Sequence, residues 1–197
     1  MQIPASLVKK LRERTGAGLM DCKAALIESS GDLDKALEYL RIKGLAKAQK
    51  KSSRVTLEGA IVSYIHPGSR IGVLVEISCE TDFVARTNEF QGFGKDIAMQ
   101  IAATSPIALN REDVSAEIVD KEREVYRTQA QEQKKPDAVI DKIVDGRVDK
   151  FYSENVLLDQ PFIKDDSKTV GELVNELVAK LGENIKITRF ARFQIGQ

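Results

Sequence analysis

Apolar residues recur at helical spacing in three short stretches at the start of the chain. Leu7, Val8 and Leu11 form one stripe between Ala5 and Thr15. Thr15-Gly16-Ala17-Gly18 interrupts it, because glycine costs helix stability and permits tight turns. Met20, Leu26 and Ile27, around the small Ala24 and Ala25, form the second stripe, which Ser29-Ser30-Gly31 ends. Leu33, Ala36, Leu37 and Leu40 form the third, with Asp32 as N-cap and Asp34 beside the positive end of the helix dipole. Gly44 is the expected break, and Lys47 to Arg54 reads as a polar, mobile linker.

Beyond residue 55 the period changes. Glu58 to Ile65 predicts a strand, His66-Pro67-Gly68-Ser69 a turn, and the alternation of Ile71, Val73, Val75, Ile77 and Cys79 a second, antiparallel strand. Helical spacing then returns. Asn88 with Gln91 forms a candidate capping box ahead of Phe90, Phe93, Ile97 and Ile101, and Ser105-Pro106 stops that helix. Ile118, Val119, Val125 and Tyr126 mark a charged helix, which Lys134-Lys135-Pro136 interrupts. Val139 to Tyr152 continues helically, with Gly146 a weak point, and Gln160-Pro161-Phe162 is a break. Thr169 and Glu172 form a second capping box before Leu173, Val174, Leu177, Val178 and Leu181, with Gly182 as the C′ residue. The last strand places Ile185, Ile187, Ala191, Phe193 and Ile195 on one face and Phe190 on the other.

The predicted fold is α+β. An N-terminal three-helix bundle of the ubiquitin-associated (UBA-like) type, with its basic linker, spans 1–54. A three-stranded antiparallel sheet packed with helices spans 55–197. Net charge is zero, but residues 1–54 hold twelve of the 30 Lys and Arg and six of the 30 Asp and Glu. The two parts therefore differ in sign, as two modules with different surfaces would. Two cysteines and one histidine are too few for a usual four-ligand zinc site. Cys22 and Cys79 lie in apolar patterns and read as inert thiols, and His66 as a turn residue. No apolar run is long enough to span a membrane and no apolar leader opens the chain, so no membrane partner and a cytoplasmic location are expected. No phosphate-binding glycine loop, dinucleotide fingerprint or acid–base pair is present, so neither catalytic residues nor a cofactor is expected.

Two segments carry a more specific signal. Leu11-Arg12-Glu13-Arg14-Thr15-Gly16-Ala17-Gly18-Leu19-Met20-Asp21-Cys22-Lys23-Ala24-Ala25-Leu26 resembles the N-terminal signature of the elongation factor Ts family. Glu76-Ile77-Ser78-Cys79-Glu80-Thr81-Asp82-Phe83-Val84-Ala85-Arg86 resembles the family's second signature, with Ser78 where asparagine is usual. The resemblance continues through Gln160 to Asp166 and Thr169 to Leu173. It implies a non-enzymatic guanine nucleotide exchange factor whose partner is elongation factor Tu, both GDP-bound and nucleotide-free. Arg12, Gly16, Gly18, Met20 and Lys23 would then grip the partner's nucleotide-binding domain. Thr81, Asp82, Phe83 and Val84 would press near its magnesium site. Direct nucleic-acid binding is not expected.

The length has room for one core half where longer relatives carry two, which implies a homodimer. Its expected seam is the last strand, through Phe190. The alternative reading is a UBA-like module that binds another protein or RNA and has no part in translation. Taken alone, Phe83 also reads as a core aromatic, Asp82 as a cap and Lys23 as a solvated helix charge.

Overall fold

The computed structural model describes residues 3–196. The three apolar stripes become α1 (Ala5–Thr15), α2 (Leu19–Glu28) and α3 (Leu33–Lys51). Val8, Leu11, Cys22, Ala25, Leu26 and Ala36 are buried together, and the alanines let the helices approach closely. Gly16 ends α1 in the left-handed region at φ 66°, and its N–H donates to Arg12 O. The Asp32 carboxylate accepts from the N–H groups of Asp34 and Lys35 at 2.9 and 3.0 Å, as an N-cap should.

Neither the break at Gly44 nor the mobile linker from Lys47 is observed; α3 runs on to Lys51, and only 52–54 turn. Lys, Ala and Gln are good helix formers, and one glycine costs only about 1 kcal/mol. The extension is also tied down. Lys47 and Lys43 pair with Asp21 at 2.9 and 3.5 Å, Ala48 is buried, and Lys51 Nζ donates to Gly182 O.

β1 (Glu58–Ile65), β2 (Ile71–Cys79) and β5 (Lys186–Gln194) form a three-stranded sheet with β2 central. The hairpin closes where expected, with Ser69 N–H donating to His66 O. Gly59 is required in β1: at φ 150°, a Cβ there would lie 2.1 Å from Ile77 O. In β5 the burial alternation slips. Ile187 is buried, Thr188 and Arg189 are both exposed, and thereafter Phe190, Arg192 and Gln194 are half-buried while Ala191, Phe193 and Ile195 are exposed. This is the signature of one extra residue in a strand. The expected single face from Ile185 to Ile195 is therefore corrected: Phe193 and Ile195 do not share the burial of Ile185 and Ile187.

The chain divides into two compact units. One takes Met1–Ile61, Glu76–Gly94 and Glu172–Thr188; it holds the helical bundle and nearly all of α8 (Val170–Leu181). It also holds α4 (Asp82–Ala85) and the start of α5 (Asn88–Thr104). The capping box expected at Asn88 is replaced by a cap one residue earlier. Thr87 Oγ1 accepts from Phe90 N–H at 3.2 Å, and Gln91 Nε2 instead donates to Ala85 O at 2.7 Å.

The other unit takes Val62–Val75, Lys95–Gly171 and Arg189–Gln197. Its helical hairpin, α6 (Ala116–Glu132) and α7 (Asp137–Asn155), buries Ala130, Ile140, Val144 and Val148 against Val119 and Tyr126. Arg123 pairs with Asp145 at 2.8 Å and Arg127 with Asp141 at 2.6 Å across the hairpin. Gly146, expected as a weak point, sits within an unbroken α7. The expected break at Gln160-Pro161-Phe162 holds a short antiparallel pair instead, β3 (Pro161–Phe162) with β4 (Asp165–Thr169).

Candidate partner-binding site

β2 ends at the buried Cys79, and within two residues the chain turns into the single helical turn of α4. Thr81 is its N-cap, extended at φ −130°, with Oγ1 accepting from Val84 N–H at 3.4 Å. The same hydroxyl donates to Glu183 Oε1 at 2.7 Å. Glu183 Oε2 accepts from the backbone N–H groups of Glu80 and Thr81 at 3.1 and 3.0 Å. The Glu80 carboxylate in turn accepts from Asn184 N–H at 2.6 Å and from Arg54. The Asn184 bond, with the Arg54 charge behind it, holds the Glu80 carboxyl below its ordinary range.

The result is a short helix fixed at its start and bare at its tip. Phe83 is 80% exposed. Asp82 pairs with Arg86 one turn on, at 2.9 Å, Val84 is half-buried, and Ala85 is buried. The Phe83 ring is held in water on a braced element, where it is open to a partner. The core reading of Phe83 fails on this exposure, and the cap belongs to Thr81, not Asp82. Cys79 cannot serve as a reactive thiol: it is buried and donates to Thr81 O at 3.1 Å. Burial, then the nearby Glu183 charge, pushes its pKa up.

The N-terminal candidates lie along the turn between α1 and α2. Arg12 is exposed on the last turn of α1, Gly16 supplies the left-handed residue after it, and Gly18 is the N-cap of α2. Met20 is 74% exposed, and Lys23, three residues on and also exposed, shares its face of α2. Both groups of candidates belong to the same compact unit, but among the described residues no hydrogen bond or ion pair joins them. Glu80, Glu183 and Asn184 are the members that spacing could not find, since Glu183 meets Thr81 from 102 positions away.

Among the described residues, no cluster of His, Cys, Asp and Glu could hold a metal ion, and no helix is long and apolar enough to cross a membrane.

Comparison with known proteins matches residues 33–197 to the family described as Elongation factor TS. Elongation factor Ts of Syntrophomonas wolfei is 59% identical over 195 residues, covering 99% of this chain and 91% of that protein. The protein of the same name from Desulforamulus reducens is 57% identical, covering 100% and 90%. That from Caldanaerobacter subterraneus is 59% identical, covering 99% and 98%.

Proposed function

The chain belongs to the elongation factor Ts family, and from that premise we propose how its two exposed elements carry out exchange. Its role is guanine nucleotide exchange on elongation factor Tu during translation elongation. Nucleotide and exchange factor each weaken the other's hold on the partner, and the coupling is reciprocal by thermodynamic necessity.

The grip comes from residues 1–54, through Arg12, Gly16, Gly18, Met20 and Lys23. The displacement comes from the core, residues 55–197, through Thr81, Asp82, Phe83 and Val84. Phe83 enters the partner as an apolar wedge. Asp82 brings a negative charge towards the magnesium site, and loss of the ion weakens retention of the diphosphate it neutralises. No covalent bond is made or broken, and no cofactor, nucleic acid or membrane takes part. A translation factor acts in the cytoplasm. The working form is a homodimer, supported by the exposed apolar residues Ile65, Leu74, Phe193 and Ile195.

The observation that carries the reading is Phe83, 80% exposed on a helix whose N-cap, Thr81, makes three hydrogen bonds through its N–H and hydroxyl. The test is release of fluorescent GDP from elongation factor Tu, with the wild-type chain and with Asp82→Ala and Phe83→Ala. Each substitution touches an outward-facing side chain, so each variant should fold normally and slow release. Wild-type rates in both well-folded variants would remove these residues from the mechanism.

A further inference from the structure

We infer that Glu183 is the positioning residue of this site. It locks the strand-to-helix junction, so that Phe83 is already held out before the partner arrives. The inference rests on the reading of Phe83 given above and adds a residue that acts through Glu80 and Thr81.

Three donors converge on one carboxylate. Glu80 N–H and Thr81 N–H reach Oε2 at 3.1 and 3.0 Å, and Thr81 Oγ1 reaches Oε1 at 2.7 Å. Bonds to an ionised acceptor are about twice as strong as neutral ones, and two adjacent N–H groups on one oxygen fix the direction of the peptide between them. The carboxylate is itself well anchored. Glu183 follows Gly182, which ends α8 at φ 80° with its N–H on Val178 O. It precedes Asn184, whose side chain donates to Ser52 O and Arg54 O at 3.3 and 2.7 Å.

The bracing runs both ways. Glu183 accepts from the backbone of Glu80, while Glu80 accepts from the backbone of Asn184. The two junctions, 79–82 and 182–185, are thus cross-tied at adjacent residues.

β2 and α8 hold their own shape by ladder and helix bonds. What the carboxylate adds is restriction of the two residues between β2 and α4, which set the direction of the helix that carries Phe83. Without it, the Thr81 side chain keeps only the 3.4 Å bond from Val84, and its carbonyl the bonds from Cys79 Sγ and Ala85 N–H, none of which ties the junction to an element other than β2 and α4. The tip would then need ordering during the encounter, at a cost to the step that uses it. The substitution should therefore lower the maximal exchange rate, while the half-saturating concentration, set largely by the N-terminal grip, stays near wild type.

The experiment is a double-mutant cycle between Glu183→Ala and Phe83→Ala in the full chain, read as GDP release at saturating exchange factor. Losing charge-assisted bonds should slow maximal release roughly tenfold in the wild-type background. Glu183→Gln, which keeps one acceptor oxygen, should fall between. In the Phe83→Ala background, Glu183→Ala should add less than about twofold, because the residue it positions is gone. A wild-type rate for Glu183→Ala, or an equal loss in both backgrounds, overturns the inference. Should Glu183→Ala not fold, the cycle is run with Glu183→Gln, and hydrogen exchange at the Glu80 and Thr81 amides is measured in the free chain. Faster exchange supports the lock, and unchanged protection refutes it. A silent Phe83→Ala removes the underlying reading and this inference with it. A slow Phe83→Ala beside a silent Glu183→Ala removes the inference alone.

Discussion

Gln160 Oε1 accepts from Gln100 Nε2 at 3.1 Å, and the two amides are 2% and 0% exposed. Gln160 also accepts from Thr104 Oγ1 at 2.7 Å and donates to Glu154 O at 2.9 Å. Gln100 donates to Pro161 O and accepts from Ile163 N–H. Each side-chain nitrogen and oxygen of the pair has a partner, which is the condition under which a buried polar network stabilises a fold. Gln160→Ala should leave one Gln100 N–H without its acceptor, remove the donor to Glu154 O and open a cavity, while Thr104 Oγ1 keeps Gln100 O at 2.8 Å; the cost should be about 2–4 kcal/mol. Urea denaturation measures it. A loss below about 1 kcal/mol would mean that the core re-pairs without the amide.

How far the chain could be read in advance depended on the range of the interactions. The three N-terminal stripes, the hairpin and the helices after it are set by local period, and Leu11, Ile77 and Phe90 are buried as their patterns require. Gly44 misled because a glycine's intrinsic cost was weighed without the ion pairs from Lys43 and Lys47 to Asp21, which a sequence does not display. The β3–β4 pair escaped because Asp165, Asp166 and Ser167 alternate no apolar residues. The Thr81 to Val84 segment was legible only as a signature. Nothing in its spacing reveals Glu183, whose bonds to Glu80 and Thr81 exist only once α8 has returned to the end of β2.

Asp21 gives the fold a pH signature. The hydrogen bond from Lys47, followed by the charges of Lys47 and Lys43, lowers its carboxyl pKa against the opposing effect of partial burial. A depressed carboxylate contributes its stability above the unfolded-state value, and that contribution is lost as pH falls through the folded one. Because the side chain is about a third exposed, solvent screening limits the pair to roughly 0.5–1 kcal/mol at neutral pH. Asp21→Asn should therefore be less stable than wild type at pH 7. The difference should shrink as pH falls below the ordinary carboxylate range and through the lowered pKa of the folded wild type. Denaturation midpoints across this range provide the check, and a difference that stays constant into acid would show that Asp21 does not act through its charge.

The slip in β5 redirects the dimer hypothesis. Phe190, expected at the seam, is half-buried, whereas Phe193 is 68% exposed. Ile65, Phe193 and Ile195 line one surface depression with Gly72, where a Cβ would come within 3.1 Å of Ile65 Cδ1. Glycine thus lets Ile65 lie flat against the sheet and keeps that surface level. Leu74, on the central strand, is exposed as well. Contiguous apolar residues on the outside of a sheet leave water-exposed area that a second chain can cover, and a two-fold axis lets one patch serve both subunits. If that is the seam, sedimentation equilibrium at micromolar concentration should give a dimer mass for wild type and a monomer mass for Phe193→Asp, whose exposed position spares the monomer's fold. Phe190→Asp should act differently, lowering the melting temperature by placing a charge in a half-buried position. A dimer that survives Phe193→Asp would move the interface elsewhere, and a wild-type chain that sediments as a monomer would end the hypothesis.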